Sequence, residues 1–183
     1  MKTLQPAAVL AGILSLWLAT TAVAASALSD LEKKETVYRM YAEGKKDFPA
    51  VAELSVQQAM ELHERKRLVF VDTRRPAEME VSMLPGAISK EQYLVHPGRY
   101  KDLTVVAYCT IGYRSGVFAR DMEKRGFAVY NLKGGILAWT LEGGSVYDAQ
   151  GRRIRKVHVF GKRWDYAPAG YQTVKFSLGE QLF

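Results

Sequence analysis

Residues 104–126 read TVVAYCTIGYRSGVFARDMEKRG. The first five residues form an apolar run of strand length, and residues 116–125 carry apolar side chains near helical spacing before an expected stop at Gly126. Cys109, the only cysteine, therefore falls where a strand ends and a helix begins. The first turn of a helix has unpaired N–H groups and a partial positive charge, which together bind anions. We expect them to stabilise a Cys109 thiolate, which is the nucleophilic form of the side chain.

The neighbours of Cys109 decide between an inert and a reactive thiol. A lone cysteine is most often a small, buried, unreactive hydrophobe. Here Gly112 permits a tight backbone turn, Arg114 supplies a permanent positive charge, and Ser115 can cap the following helix. An inert core cysteine needs none of these together, so Cys109 is the predicted nucleophile.

Four segments, in chain order, resemble the rhodanese-like sulfurtransferases. Residues 109–115, Cys-x-x-Gly-x-Arg-Ser, are similar to the family's active-site loop, and residues 68–78, LVFVDTRRPAE, to its first strand with Asp-x-Arg and Pro-x-Glu. Residues 84–88, LPGAI, resemble its Pro-Gly-Ala segment, and residues 132–139, LKGGILAW, its closing Gly-Gly-x-x-Ala-Trp. One departure is Ser-Met-Leu at residues 82–84, where the family usually carries Gly-His-Ile. No histidine acid–base role is therefore expected from that loop.

The resemblance implies a fold and a reaction. The fold is α/β, an open parallel sheet with helices on both faces, which the alternation of strands and helices also predicts. The reaction moves a sulfane sulfur from a small anionic donor such as thiosulfate to a thiol or cyanide acceptor, through a Cys109 persulfide. Neither a cofactor nor a metal is expected, because the chain shows no cluster of metal ligands.

The resemblance also assigns roles around Cys109. The backbone N–H groups of residues 110–115 stabilise the anionic sulfur, Arg114 positions the donor, and Ser115 can hydrogen-bond the thiolate. Asp72 and Arg74 support the neighbouring loops. The substrate-binding residues are therefore expected to be Thr110, Ile111, Gly112, Tyr113, Arg114 and Ser115.

The spacing between Cys109 and Arg114 bears on the chemistry. Cysteine phosphatases use Cys-x5-Arg, whereas this chain has Cys-x4-Arg. By resemblance, the shorter loop suits a persulfide sulfur, and a tetrahedral oxyanion requires the longer one. Phosphatase or arsenate reductase activity is therefore not favoured. A binding module that carries sulfur or docks a partner without turnover stays as the alternative.

The N-terminus predicts export. After Lys2 no charged residue occurs until Asp30, and residues 6–27 are almost wholly apolar or small, with an A-x-A pattern at residues 22–24. Residues 1–24 are therefore predicted to be a signal peptide, with an uncleaved membrane anchor as the alternative. Either places the rest of the chain in the periplasm, free or anchored to the membrane.

Three further regions follow the leader. Residues 25–50 are predicted to contain a helix over 31–43, stopped by Gly44, and a linker at Phe48 and Pro49. Residues 51–145 form the rhodanese-like domain, in which Ser55 and Ser89 open helices with capping boxes. Residues 146–183 form a basic C-terminal extension that begins with a β-hairpin, its strands at 146–148 and 154–160.

The extension carries most of the chain's net charge of +7. Its strip of basic residues can attract a membrane surface, an acidic protein partner or an anionic substrate. The alternative is a solvated hairpin edge, where Lys and Arg discourage strand-to-strand aggregation. Nucleic acid is not expected as a partner of an exported protein. The basic side chains are Arg152, Arg153, Arg155, Lys156, Lys162, Arg163 and Lys175.

Overall fold

A five-stranded parallel sheet forms the centre of the computed structural model, which describes residues 27–177. The strands pair in the order β1-β5-β4-β2-β3, which confirms the predicted open parallel sheet. The middle strand β4 ends immediately before Cys109, at the carboxyl edge where open parallel sheets bind ligands. The strands are β1 (Glu53–Leu54), β2 (Leu68–Asp72), β3 (Ile88–Ser89), β4 (Thr104–Tyr108) and β5 (Tyr130–Leu132).

Helices cover both faces of the sheet, as predicted. Successive residues of β2 and β4 point to opposite faces, so Phe70 and Val106 join one apolar cluster while Val71 and Ala107 join the other. Helices α1, α2 and α6 contribute to the first cluster, and α4 and α5 to the second. The helices are α1 (Asp30–Lys45), α2 (Val56–Glu64), α3 (Pro76–Val81), α4 (Lys90–Val95), α5 (Tyr113–Glu123) and α6 (Gly135–Leu141).

Several element boundaries differ from the sequence prediction. Helix α1 does not stop at Gly44 but continues to Lys45, because the C-cap forms at Lys46. The sequence from Phe127 to Leu132 predicts a strand over its whole length, but β5 begins only at Tyr130. The capping boxes at Ser55 and Ser89 are both present, which confirms the predicted starts of α2 and α4.

The predicted linker at Phe48 is part of the core. The Phe48 side chain is 1% exposed and packs in the second apolar cluster. A Cβ on Gly116 of α5 would lie only 2.2 Å from the Phe48 ring, so the glycine makes room for the ring. The burial of Phe48 was not predicted, because the short segment between Gly44 and Pro49 gives no periodicity from which burial can be inferred.

The C-terminal extension begins with the predicted β-hairpin, in which β6 (Val146–Tyr147) pairs antiparallel with β7 (Arg153–Ile154). The second predicted strand is broken at Arg155. Its remainder, β8 (Lys156–His158), pairs in parallel with β9 (Gln172–Val174). The break lets Val157 turn into the first apolar cluster, where it is fully buried. The extension therefore packs on the core of the domain.

The predicted leader, residues 1–24, lies outside the described residues. Within residues 27–177, no helix combines the length and the apolar character needed to cross a bilayer.

Candidate active site

The Cys109 side chain is held at the turn between β4 and α5. It is 2% exposed, and its sulfur accepts a hydrogen bond from the Gly112 N–H at 3.2 Å. Gly112 adopts a left-handed backbone conformation, with φ of 100°, and is itself the N-cap of α5. The helix therefore starts at Tyr113, and the prediction that Ser115 caps it was wrong because the turn closes three residues earlier.

The local charges favour a Cys109 thiolate. Burial opposes ionisation, but the positive charge of Arg114 and the backbone N–H groups of Ser115 and Gly112 outweigh it, and they lower the pKa of Cys109. A lowered pKa raises the fraction of the nucleophilic form at neutral pH. The single thiol therefore lies in an environment that activates it.

Arg114 is fixed by a buried carboxylate. Its Nη1 and Nη2 donate to the two oxygens of Glu78, at 2.6 and 2.9 Å, in a bidentate pair. Glu78 is fully buried, which raises its pKa, but the hydrogen bond and charge of Arg114 dominate and hold the pKa below its usual value. Thr110 joins them, because its Oγ1 accepts from Arg114 at 3.0 Å and donates to Glu78 at 3.3 Å.

Asn131, the middle residue of β5, anchors the loop from the side of the sheet. Its side-chain amide donates to the carbonyl of Gly112 at 2.8 Å and accepts from the Ser115 hydroxyl at 2.7 Å. The Ser115 hydroxyl proton is therefore directed at Asn131, and the expected hydrogen bond from this hydroxyl to the thiolate gives way to the Ser115 backbone N–H, which helps to lower the pKa of Cys109. All three side chains are buried, so the loop conformation is defined by satisfied polar groups.

The start of α6 binds the other side of the loop. The N–H groups of Ile136 and Leu137 donate to the carbonyls of Cys109 and Thr110, at 2.9 and 3.2 Å. A Cβ on Gly135 would lie 2.3 Å from the Cys109 carbonyl oxygen. Glycine is therefore required for this close backbone approach, which explains the Gly-Gly pair in the sequence.

Asp72 and Arg74 form a separate buried pair next to the loop. Arg74 Nη2 donates to Asp72 at 2.6 Å and to the carbonyl of Ser82 at 2.6 Å. Its guanidinium also lies over the ring of Tyr108, 5.5 Å from the centroid, directly before Cys109 in the chain. These contacts connect the segment after α3 to β2 and β4. They agree with the supporting role expected for Asp72 and Arg74.

A cleft of about 480 Å³ opens above Cys109. Its floor comes from the active-site loop, and its walls come from α1 and the C-terminal extension. Sequence reasoning assigned no chemistry to the α1 wall, and from the extension it singled out only Arg163, as part of the basic strip. The floor residues are Cys109, Thr110, Ile111, Tyr113 and Arg114, and the wall residues are Met40, Tyr41, Glu43, Gly44, Phe160, Arg163 and Trp164.

The structure thus brings all seven loop residues, 109–115, around one point, with Asp72 and Arg74 behind them. Sequence reasoning missed several residues that shape the site. Glu78 stood within the quoted Pro-x-Glu, and Asn131 is a lone amide in an otherwise apolar strand, so both carried a signal. Tyr41 and Phe160 carried none, because only tertiary packing brings them to the loop.

Among residues 27–177, no three side chains of metal-ligating type come together.

Comparisons with known proteins agree with the fold and the loop. The sequence model of the rhodanese-like domain matches residues 55–142. A sulfurtransferase of Allochromatium vinosum is 37% identical over 87 residues, which cover 45% of this chain and 80% of that protein. A tRNA uridine(34) hydroxylase of Corynebacterium kroppenstedtii is 35% identical over 107 residues, which cover 52% of this chain but only 35% of the hydroxylase.

A solved structure agrees at the level of the fold. The crystal structure of a thiosulfate sulfurtransferase from Pseudomonas aeruginosa superposes with a TM-score of 0.52 at 23% sequence identity, covering 68% of this chain and 24% of that one. The parallel sheet, the Cys109 loop and the similarity to the Allochromatium protein lead to the same conclusion. The chain belongs to the rhodanese-like domain family.

Proposed function

We propose that this protein is a sulfurtransferase in which Cys109 carries the transferred sulfur. The observation on which the proposal depends is the position of Cys109 at the floor of an open cleft, where its sulfur accepts the Gly112 N–H at 3.2 Å and the charge of Arg114 lowers the pKa of the thiol. The sulfurtransferase name of the Allochromatium relative supports the same reaction class. The relatives named as hydroxylases give less support to a sulfurtransferase, and the chain spans only about a third of their length.

In the first step the Cys109 thiolate attacks the outer sulfur of a donor such as thiosulfate. A new S–S bond forms to Cys109 as the donor's S–S bond breaks, and sulfite leaves with the bonding electron pair. The persulfide sulfur then lies over the N–H groups of the loop, which stabilise negative charge as they do for the thiolate. No proton transfer is needed, because nucleophile and leaving group are both anions.

In the second step an acceptor takes the outer sulfur. A thiolate or cyanide attacks it, the persulfide bond breaks, and the Cys109 thiolate is regenerated. Arg114 lies at the cleft floor with 32% of its side chain exposed, so it can meet an anionic donor while it remains paired with Glu78. Ile111 and Tyr113 lie beside it on the cleft floor.

Intact mass after thiosulfate treatment tests the first step. The expected result is the gain of one sulfur atom, lost on reduction and absent in the Cys109→Ser variant. Steady-state production of sulfite or thiocyanate then separates an enzyme from a carrier that is loaded once. No gain of sulfur from thiosulfate or any other sulfane donor would overturn the proposal and leave the partner-binding module as the function.

We also propose an exported location, supported by the apolar residues 6–27 and the A-x-A pattern. The basic extension would then face an anionic membrane surface or an acidic protein partner. Cell fractionation with N-terminal sequencing of the mature protein tests the location. An intact Met1 on a cytosolic protein would contradict it.

A further inference from the structure

The C-terminal extension places one aromatic side chain against the active-site arginine. The Arg114 guanidinium carbon lies 5.3 Å from the centroid of the Phe160 ring, and that of Arg75 lies 5.4 Å from the same centroid. Aromatic rings attract guanidinium groups at these distances through the negative face of the π system. Phe160 lies outside residues 55–142, which are matched by the family's sequence model.

The backbone at Phe160 is strained. Its φ is +61°, a left-handed conformation that bulky side chains rarely adopt. Such strain persists only where the surroundings enforce it, and it concentrates at functional positions. Here the Phe160 N–H donates to Nδ1 of the buried His158 at 3.0 Å, and the ring packs edge-on against Trp164 and Phe176.

Arg114 gains from the ring a constraint that its other partners do not provide. Glu78 and Thr110 bind the edge of the guanidinium through its N–H groups. These bonds hold only the N–H edge, whereas the Phe160 ring, 5.3 Å from the guanidinium carbon, adds a contact from another direction that further restricts the movement of the group. Orientation matters here because the same charge acts on the Cys109 thiolate.

We propose that Phe160 is a positioning residue that holds the Arg114 guanidinium on Glu78 and beside Cys109, so that the C-terminal extension sets the reactivity of the nucleophile. The extension is thereby a working part of the active site. This role of Phe160 can be tested without knowing the sulfur donor, because the reactivity of the Cys109 thiol can be measured directly.

Other charged or titratable groups also face Cys109, Arg114 and Glu78, so the test must leave these groups unchanged. Tyr41 from α1 interacts with Cys109 and has a pKa that burial and Glu53 raise. Arg74 interacts with both Glu78 and Arg114. His158 Nδ1 lies 3.9 Å from Glu78 and accepts the Phe160 N–H.

The test compares Phe160→Leu with Phe160→Tyr in the full chain. Leucine keeps apolar volume and backbone strain but has no π face, whereas tyrosine keeps the ring. The readout is the pH dependence of Cys109 alkylation by iodoacetamide, with thermal unfolding to verify the fold. We expect Phe160→Leu to move the profile to higher pH and slow alkylation at neutral pH by about two- to fivefold. We expect Phe160→Tyr to restore the wild-type profile.

An isosteric ring provides the second variant. Incorporation of 3,4,5-trifluorophenylalanine at position 160 preserves the shape but weakens the negative face of the ring, and it should slow alkylation as leucine does. Equal alkylation profiles for wild type and the fluorinated protein would overturn the proposal and reduce Phe160 to packing. Because alkylation needs no sulfur donor, that result is distinct from failure of the sulfurtransferase proposal.

Discussion

The side-chain amide of Asn131 donates to the carbonyl of Gly112 at 2.8 Å and so joins the middle of β5 to the turn that shapes the nucleophile loop. The other end of the same amide accepts from Ser115. Asn131 is completely buried, so neither bond can be replaced by water in the folded state. One amide therefore anchors both the last residue before α5 and a residue in its first turn.

Replacing Asn131 with aspartate should remove one of the two hydrogen bonds and keep the other. The Asn131→Asp side chain can still accept from Ser115 but can no longer donate to Gly112, and it adds negative charge near Cys109. We expect a loss of about 1–3 kcal/mol in the free energy of unfolding and a higher pKa of the Cys109 thiol. Urea unfolding and the pH dependence of alkylation measure the two effects. An unchanged thiol pKa in a folded variant would contradict the anchoring role.

Gly112→Ala should destabilise the protein more than Gly143→Ala. Both glycines have positive φ, 100° and 88°, so both variants carry backbone strain. A Cβ at position 112 would also lie 2.5 Å from the Tyr41 ring, whereas nothing lies within 4 Å of one at position 143. We expect an additional cost of about 1–3 kcal/mol at position 112 from overpacking. Equal urea midpoints for the two variants would show that α1 does not press on the loop.

Glu78→Gln should remove a pH-dependent part of the stability. The pKa of Glu78 is lowered on folding, mainly by Arg114 working against burial, so the folded state favours the carboxylate. Its contribution is present above the unfolded pKa of about 4.3 and is lost as the pH falls through the lower folded value. We expect the variant to be about 3 kcal/mol less stable at pH 7. The difference should shrink in acid, and a constant difference from pH 7 to pH 3 would refute this assignment.

Arg114→Gln should shift the reactivity of Cys109 to higher pH. The Arg114 charge is the largest influence that lowers the thiol pKa, so its removal leaves burial less opposed. Arg114→Lys is the matched variant, because it keeps the charge but not the two-pronged contact with Glu78. We expect the alkylation profile of the lysine variant to fall between wild type and Arg114→Gln. Identical profiles for all three would remove Arg114 from the activation of Cys109.

The sequence alone predicted those parts of the site whose residues lie close together in the chain. Cys109, Gly112 and Arg114 lie within six residues, and the strand before them and the helix after them follow from local periodicity. The parallel sheet follows in the same way from alternating strands and helices. Glu78 and Asn131 were recognisable only as polar residues beside these segments, since nothing local shows which partner a buried carboxylate or amide will meet.

The cleft walls could not be predicted in the same way. Tyr41 precedes Cys109 by 68 residues and Phe160 follows it by 51, and neither forms part of a motif. Their places depend on the packing of α1 against α6 and on the turn at Arg155, which brings β8 onto the core. Such long-range contacts result from the shape of the whole fold. The extension looked like a basic surface strip because charge is visible in a sequence and the burial of Val157 is not.

The single cysteine at the bottom of the cleft has a consequence for the release of its sulfur. A chain with one thiol has no second cysteine that could resolve a sulfenic acid or a persulfide by forming an internal disulfide. In the sulfur transfer proposed above, the acceptor that frees Cys109, a thiol or cyanide, must therefore come from another molecule. Without such an acceptor the protein would accumulate with sulfur on Cys109, so the state of Cys109 would report the supply of acceptors in its compartment.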